Sequence, residues 1–220
     1  MTIHILDIYR NSNIGVFLKS NEKFLLVPRG LASTKIAKLS EYLNAEPIEI
    51  SIGGSRLLGP LIAMNNKGII VSRFADKTEI NHLKESTGLP VEKIPFRYTS
   101  VGNLISANDK GVVASILLKD FEDQIVDVLD APVDFFSIAS FNQVGSVMVS
   151  SNIGAIIHPQ ASDEEISNTS STLKVDVEPA TINRGLPYIA SGIIVTKEKA
   201  VVGSFTTGPE IMTLSRVLKL

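Results

Sequence analysis

One pattern recurs through this chain at a near-constant interval, and it dictates what the chain can fold into. A glycine opens an apolar strand, a polar turn follows, a second strand runs back, and a short helix and a further strand complete the unit. The opening glycines are Gly15, Gly59, Gly102, Gly145 and Gly192, spaced 44, 43, 43 and 47 residues apart. Three of them have a second glycine nine residues on: Gly59 with Gly68, Gly102 with Gly111, Gly145 with Gly154. The intervening PLIAMNNK, NLISANDK and SVMVSSNI each run from an apolar stretch into Asn, Ser or Asp. Those side chains suit a hairpin whose backbone turns to positive φ. In the first and fifth units this register puts Phe24 and Val201 where the second glycine would stand, while polar turns persist at residues 20–23 and 196–199.

Each hairpin leads into a helix signal. Ile36, Leu39 and Leu43 share a helical face, as do Ile80 with Leu83, Ile166 with Leu173, and Ile211 with Leu214 and Leu218. In the third unit Phe121, Ile125, Val128 and Leu129 predict one helix. Helix starts are marked by capping-box spacing in Ser162 with Glu165, Thr207 with Glu210 and, in a weaker variant, Asp76 with Glu79. The fourth helix contains SNTSST, residues 167–172, which is poor in helix propensity. Strands follow from Pro47 (PIEISI), Val91 (VEKIPF), Val133 (VDFFSI) and Val175 (VDVEPA).

After the fifth helix the chain stops at Leu220, and the missing strand stands at the other end as IHILDI from Ile3. The register is therefore circular: 220 residues make five units of 44. A unit of that size cannot bury enough apolar surface by itself, and five side by side can. The expected architecture is α/β, a ring of five repeats forming one domain over residues 1–220, closed by docking of the N-terminal strand on the fifth unit. Closure removes a sheet edge that would otherwise recruit another chain, so a monomer is expected. Hydrophobic residues make up 44% of the chain, enough for a shared core, and with no Trp that core is mainly aliphatic.

Several classes of chemistry are excluded. With no cysteine, disulfides, thiolate–metal sites and thiol nucleophiles are impossible. A net charge of -2 argues against a protein held to nucleic acid mainly through phosphates. GGSRLLG at residues 53–59 lacks the Lys of a phosphate-binding loop and reads as a tight turn. His4, His82 and His158 fall in three different units without metal-pair spacing, and Asp163, Glu164 and Glu165 fit a helix's first turn, where the dipole favours negative charge. The start lacks a signal-peptide pattern, and the longest apolar stretch, residues 57–64, is too short to span a membrane, so a soluble, cytoplasmic chain is expected.

Four segments carry a resemblance to a known family. SIGGSRLLGPLIAMNNKGIIV from Ser51, SVGNLISANDKGVVA from Ser100, VGSVMVSSNIGAIIHP from Val144 and TINRGLPYIASGIIV from Thr181 resemble the translation initiation factor 6 family in its short archaeal form. The resemblance runs end to end and implies the five-bladed, pentein-type ring that the spacing reaches independently. It further implies a non-enzymatic, cofactor-free ribosome anti-association factor. Such a factor sits on the subunit-joining face of the large ribosomal subunit and sterically blocks the small subunit. The implied contacts are a ribosomal protein of the uL14 family, a neighbouring small ribosomal protein and the sarcin–ricin loop of the rRNA, with no membrane partner. The long tail of the eukaryotic members is missing.

The turns before the opening glycines, at residues 12–15, 55–60, 98–103, 142–146 and 188–192, should emerge together on one side of the ring. By the resemblance, Gly15, Asn103 and Tyr188 match partner-contacting positions, Arg56 matches a shared small-x-Arg turn, and Pro60 departs from a position that is basic in related factors. Structural roles compete with these: a salt bridge inside the ring for Arg56, turn formation for Asn103, and backbone conformation for Gly15. Other five-fold rings of this kind are enzymes that use a cysteine in the central channel. A cysteine-free enzyme or small-molecule binder working in that channel is therefore the alternative reading.

Overall fold

In the computed structural model, which describes residues 3–93 and 97–220, the chain forms five sheets of three strands each. Every sheet has one antiparallel hairpin and one parallel outer strand. In the second unit Ile62–Met64 pairs antiparallel with Ile69–Val71, which pairs parallel with Val91–Lys93. The helix Lys77–Thr87 makes the crossover between the two parallel strands, as a parallel pair requires. Helices Ser33–Leu43 and Asp163–Leu173 do the same for the first and fourth units, while Gly208–Leu218 follows the fifth unit's hairpin with no strand after it in the chain. Residues 94–96 at the end of the expected VEKIPF strand lie outside the described residues.

The ring closes as the circular register requires. Ile3–Ile5 supplies the fifth sheet's outer strand, with Ile3 opposite Ala200 and Ile5 opposite Val202. The Leu6 N–H adds a hydrogen bond of 3.0 Å to the Val202 carbonyl.

The capping boxes at Asp76 and Ser162 are formed, with Glu79 and Glu165 N–H donating to the cap side chains at 2.8 and 3.2 Å. At the fifth helix the Thr207 N–H and hydroxyl both donate to the Glu210 carboxylate. The third helix differs from expectation: Ile116–Phe121 winds as a tighter 3-10 segment and the α-helix begins only at Glu122. No capping box marks its start, and Leu118, fully buried, anchors the tight segment to the core. The polar fourth helix runs its full eleven residues. Its Thr169 is fully buried with a hydroxyl that has no partner among the described residues.

Short helical turns, one per unit, line the ring's inner layer, and glycine sets their approach. A Cβ on Gly59 would lie 1.9 Å from the Gly15 carbonyl oxygen, one on Gly102 2.0 Å from that of Gly59, and one on Gly145 2.3 Å from that of Gly102. Backbone at that distance leaves no room for any side chain. The circle is completed not by Gly192 but by Ala190, whose carbonyl oxygen lies 1.9 Å from where a Gly15 Cβ would be. The fifth unit's pre-strand turn, Ile182 to Leu186, has one more residue than the other bridged turns, which displaced the sequence register. Gly192 is instead required by Ile182, whose Cγ1 would meet its Cβ at 2.4 Å. The second-glycine position in that unit likewise belongs to Lys199, whose carbonyl accepts from Thr196 N–H as that of Gly68 does from Asn65.

Polar side chains stitch neighbouring units. Asn21 Nδ2 donates to the Asn65 carbonyl, Asn65 Nδ2 to those of Asn108 and Leu129, and Asn108 Nδ2 to those of Ser151 and Leu173. Asn65 and Asn108 thereby each satisfy an orphan carbonyl at the end of the next unit's helix, Leu129 and Leu173.

Candidate functional site

Two features could serve a partner: the ring end that carries the tight turns, and the central channel. The turns come first because their geometry is costly. Ile8 and Asn11, Ile52 and Ser55, and Ile138 and Phe141 bridge across two residues at positive φ. Glycines fill those places in the second unit, but Tyr9, Arg10, Ala139 and Ser140 fill them elsewhere, at φ between 49° and 67°. A side chain held there costs about 1 kcal/mol or more, so the surroundings must impose it.

Helix glutamates do so. Glu79, which closes the second helix's capping box, also accepts from Gly53 N–H at 2.8 Å and from the Ser51 hydroxyl at 3.0 Å. Glu165 accepts from Ala139 N–H at 2.9 Å. Glu210 accepts from Gly185 N–H and the Thr181 hydroxyl. Burial pushes the Glu210 carboxyl up, but the bonds from Thr207, Gly185 and Thr181 outweigh it and hold the pKa below the ordinary range. The first unit has Lys35 in the place of the glutamate, its ammonium donating to the Asp7 carbonyl at 2.8 Å.

What these turns display suits protein contact. Six of the seven arginines, Arg10, Arg29, Arg56, Arg73, Arg97 and Arg184, lie at this end of the ring and are exposed. Tyr9, Leu57, Phe74, Leu186, Tyr188 and Phe205 stand among them, each more than a third exposed. Arg and large aromatics are the residues enriched in protein interfaces. The Arg184 guanidinium lies 4.9 Å over the Phe205 ring.

The positions singled out by resemblance fall at this end or just inside it. Arg56 is exposed, and among the described residues no ion pair or hydrogen bond engages its guanidinium, so the internal salt bridge is not formed. Tyr188 caps the fifth short helix, 43% exposed, with its ring edge-on to Phe141 at 6.0 Å. Pro60 and Asn103 occupy equivalent places in successive short helices, half-buried on the channel's rim. Asn103 N–H donates to the Ser100 carbonyl at 3.0 Å, as a turn residue would. Gly15 is buried and offers no side chain; its place is set by the Ala190 carbonyl.

The channel has a volume of about 490 Å³. Its rim at the turn end is set by Pro60, Asn103, Ser146 and Ser191. At the opposite end the hairpin tips are drawn together. Glu22 N–H donates to Asn66 Oδ1, Asn66 N–H to Asp109 Oδ1, and Asp109 N–H to Asn152 Oδ1, at 2.9 to 3.0 Å. Asn152 Nδ2 then donates to Asp109 at 2.6 Å and reaches Glu22 at 2.9 Å. This girdle engages both carboxylates that line the channel, leaving Lys19 as its remaining charged side chain. The histidines are elsewhere: His4 stacks on Tyr42 at 4.0 Å, His82 Nε2 meets the Glu49 carbonyl, and His158 is buried, its Nδ1 accepting from Gln160 N–H.

The double use of the capping glutamates was hidden in the sequence, where capping-box spacing accounts for them completely. Lys19 was missed because it reads as an ordinary turn-flanking lysine. Aligning the inner strands would have exposed it, since its counterparts are Ala63, Ser106, Val149 and Ile194.

Comparison with known proteins supplies the lineage. A family model described as the eIF-6 family matches residues 3–217. Translation initiation factor 6 of Cenarchaeum symbiosum is 41% identical over 217 residues, covering 98% of each chain. The protein of that name from Nitrosopumilus maritimus is 44% identical with the same coverage, and that from Pyrococcus abyssi is 38% identical over the full length of both. Among solved structures, a dimethylarginine dimethylaminohydrolase carrying an S-methyl-L-thiocitrulline adduct superposes with a TM-score of 0.53 at 10% identity, covering 77% of this chain and 69% of the other. A citrulline complex of the Pseudomonas aeruginosa enzyme gives 0.54 at 11%, with the same coverage. At such identity the likeness is one of fold alone, and it makes the ring a pentein-type fold.

Proposed function

The chain belongs to the eIF-6 family, and from that premise we propose that it is a translation initiation factor that binds the large ribosomal subunit at its subunit-joining face and sterically keeps the small subunit away. A part in large-subunit maturation fits the same binding. The observation that carries the reading is the turn end of the ring: a wide surface rich in exposed Arg and aromatic side chains on turns that helix glutamates hold in a costly conformation. A surface ordered before binding loses little conformational freedom when a partner covers it.

Arg56 and Tyr188 are the side chains best placed for that partner, with Pro60 and Asn103 at the rim and Gly15 fixing the backbone behind them. A ribosomal protein of the uL14 family and its small neighbour are the protein contacts, and the arginines face the sarcin–ricin loop. The role is steric and calls for no cofactor. Among the described residues no helix is long and apolar enough to cross a membrane.

The test is co-sedimentation of the purified protein with isolated large and small subunits across a salt series. Selective binding to the large subunit with a shallow salt dependence is expected, because a net charge of -2 permits few net phosphate contacts. Equal binding to both subunits, or no inhibition of subunit joining at saturation, would reject the reading.

A further inference from the structure

The channel carries one charge that the fold does not use. Lys19 lies in the first unit's inner strand, Lys19–Ser20, and its counterparts in the other four units are neutral. Its ammonium makes no hydrogen bond or ion pair among the described residues, and burial pushes its pKa down to about 8 with no carboxylate pulling it back. The strands packed against it, Phe24–Pro28 and Ile193–Val195, bring no charged group. The channel's other titratable side chains are Glu22 and Asp109, both engaged in the girdle, and Tyr188 at the far rim. Lys19 is half-buried and lines the channel, so its three N–H donors face the channel interior and not a protein partner.

The channel walls combine hydroxyls with apolar surface. The Ser106 and Ser150 hydroxyls meet at 2.9 Å, while Met64, Ile105, Met148 and Val149 supply hydrocarbon. The volume is that of a small-molecule site. One cation can neutralise one negative charge, and the girdle carboxylates oppose a second. Apolar walls favour a ligand with a carbon skeleton over an inorganic anion.

We propose that the central channel is a binding site for a small organic monocarboxylate, held by a charge-assisted hydrogen bond from the Lys19 ammonium. The apolar tail lies along the methionine- and isoleucine-lined wall. Because the bond requires the protonated amine, binding weakens as pH rises past the Lys19 midpoint. The proposal rests on the channel alone and stands or falls separately from ribosome binding.

The test uses the full-length protein labelled with ε-13C lysine and titrated by NMR, with butyrate and inorganic phosphate as probes. One lysine should titrate near 8 in the free protein and vanish from the spectrum of Lys19→Gln. Saturating butyrate should raise that midpoint to above about 9, the size of shift a newly paired charge gives, whereas phosphate should leave it nearly in place. By calorimetry Lys19→Met, which keeps length without charge, should bind butyrate at least about ten-fold more weakly. The proposal is overturned if butyrate leaves the wild-type midpoint unmoved, if phosphate raises it equally, or if folded Lys19→Met binds butyrate as the wild type does. The first two outcomes need only the wild-type chain.

Discussion

A single carbon atom should measure how tightly the inner layer is drawn together. In Gly102→Ala the new Cβ would lie 2.0 Å from the Gly59 carbonyl oxygen and 2.5 Å from that of Ile62. Both obstacles are backbone of the preceding unit, so no rotamer change relieves them. The second unit must retreat by about 1.5 Å to reach ordinary contact distance. In a closed ring that retreat presses on the remaining junctions, where a Cβ on Gly59 or Gly15 would already meet oxygen at 1.9 Å. Overpacking of this kind costs about 3 kcal/mol, and the smaller entropy of an unfolded chain with Ala recovers under about 1 kcal/mol. For a chain of this size each kcal/mol moves Tm by about 2–4 °C, so a net fall of about 4–12 °C is expected. The assay is thermal unfolding by circular dichroism, with Gly208→Ala as control. That glycine opens the fifth helix and has no atom within 4 Å of its Cβ, so its Tm should hold or rise slightly. If Gly102→Ala unfolds within about 2 °C of the wild type, the inner layer yields to a methyl group and the tight-contact argument fails.

Three further outcomes follow from the same structure. Removing residues 1–9 strips the outer strand from the fifth sheet and should leave an aggregating or strongly destabilised protein; a truncated chain that stays monomeric and equally heat-stable refutes closure by that strand. Acid should weaken the fold in two stages, monitored as Tm against pH. His158, its pKa lowered by burial against an opposing pull from Glu165, is neutral in the fold, so stability falls as pH drops below its unfolded value of 6.5. Glu210, its pKa lowered, contributes stability above its unfolded value of 4.5 that is lost as pH falls through the folded one; flat Tm in Glu210→Gln and wild type alike below that point would contradict its clamp role. Thr169→Val removes a buried hydroxyl without a partner and should stabilise by about 1 kcal/mol in denaturant unfolding; a loss of stability would mean that the hydroxyl is satisfied.

Repeat arithmetic made the ring legible because each unit states its strand, turn and helix in the same order. It failed where residue type was followed over spacing. Gly192 stands 47 residues after Gly145, whereas Ala190, at 45, fits the interval better and is the position that packs against Gly15, because backbone approach and not residue type defines equivalence. The third helix begins as a 3-10 segment capped by the Ser115 side chain, a tightening that the spacing of its apolar residues does not announce. Of the site, the turns' positions were legible from the glycines and polar residues. Their rigidity was not: the contacts that impose it join Glu79 to Gly53 and Glu210 to Gly185, 26 and 25 residues apart.

Those contacts bind the proposed function to the stability of the fold. A glutamate that only capped a helix could be replaced at a cost of about 1 kcal/mol and little else. Here its loss also frees the turn that presents the partner surface, and in the fourth unit that turn holds Ala139 and Ser140 in a conformation side chains avoid. Glu165→Gln and Glu165→Ala therefore separate the two roles. The amide of Gln can still accept from Ala139 N–H through its oxygen, so large-subunit binding should stay near wild type. Ala leaves that N–H unheld, and the turn relaxes toward negative φ. If a preordered surface is what binds, Glu165→Ala should lose about three- to ten-fold in affinity at a temperature where circular dichroism shows both variants folded, the equivalent of ordering one turn on binding. Equal affinity of the two variants would mean that the fourth unit's turn lies outside the contact or that its order is immaterial. Repeating the pair at Glu79 distinguishes these, since the second unit's turn leads directly to Arg56.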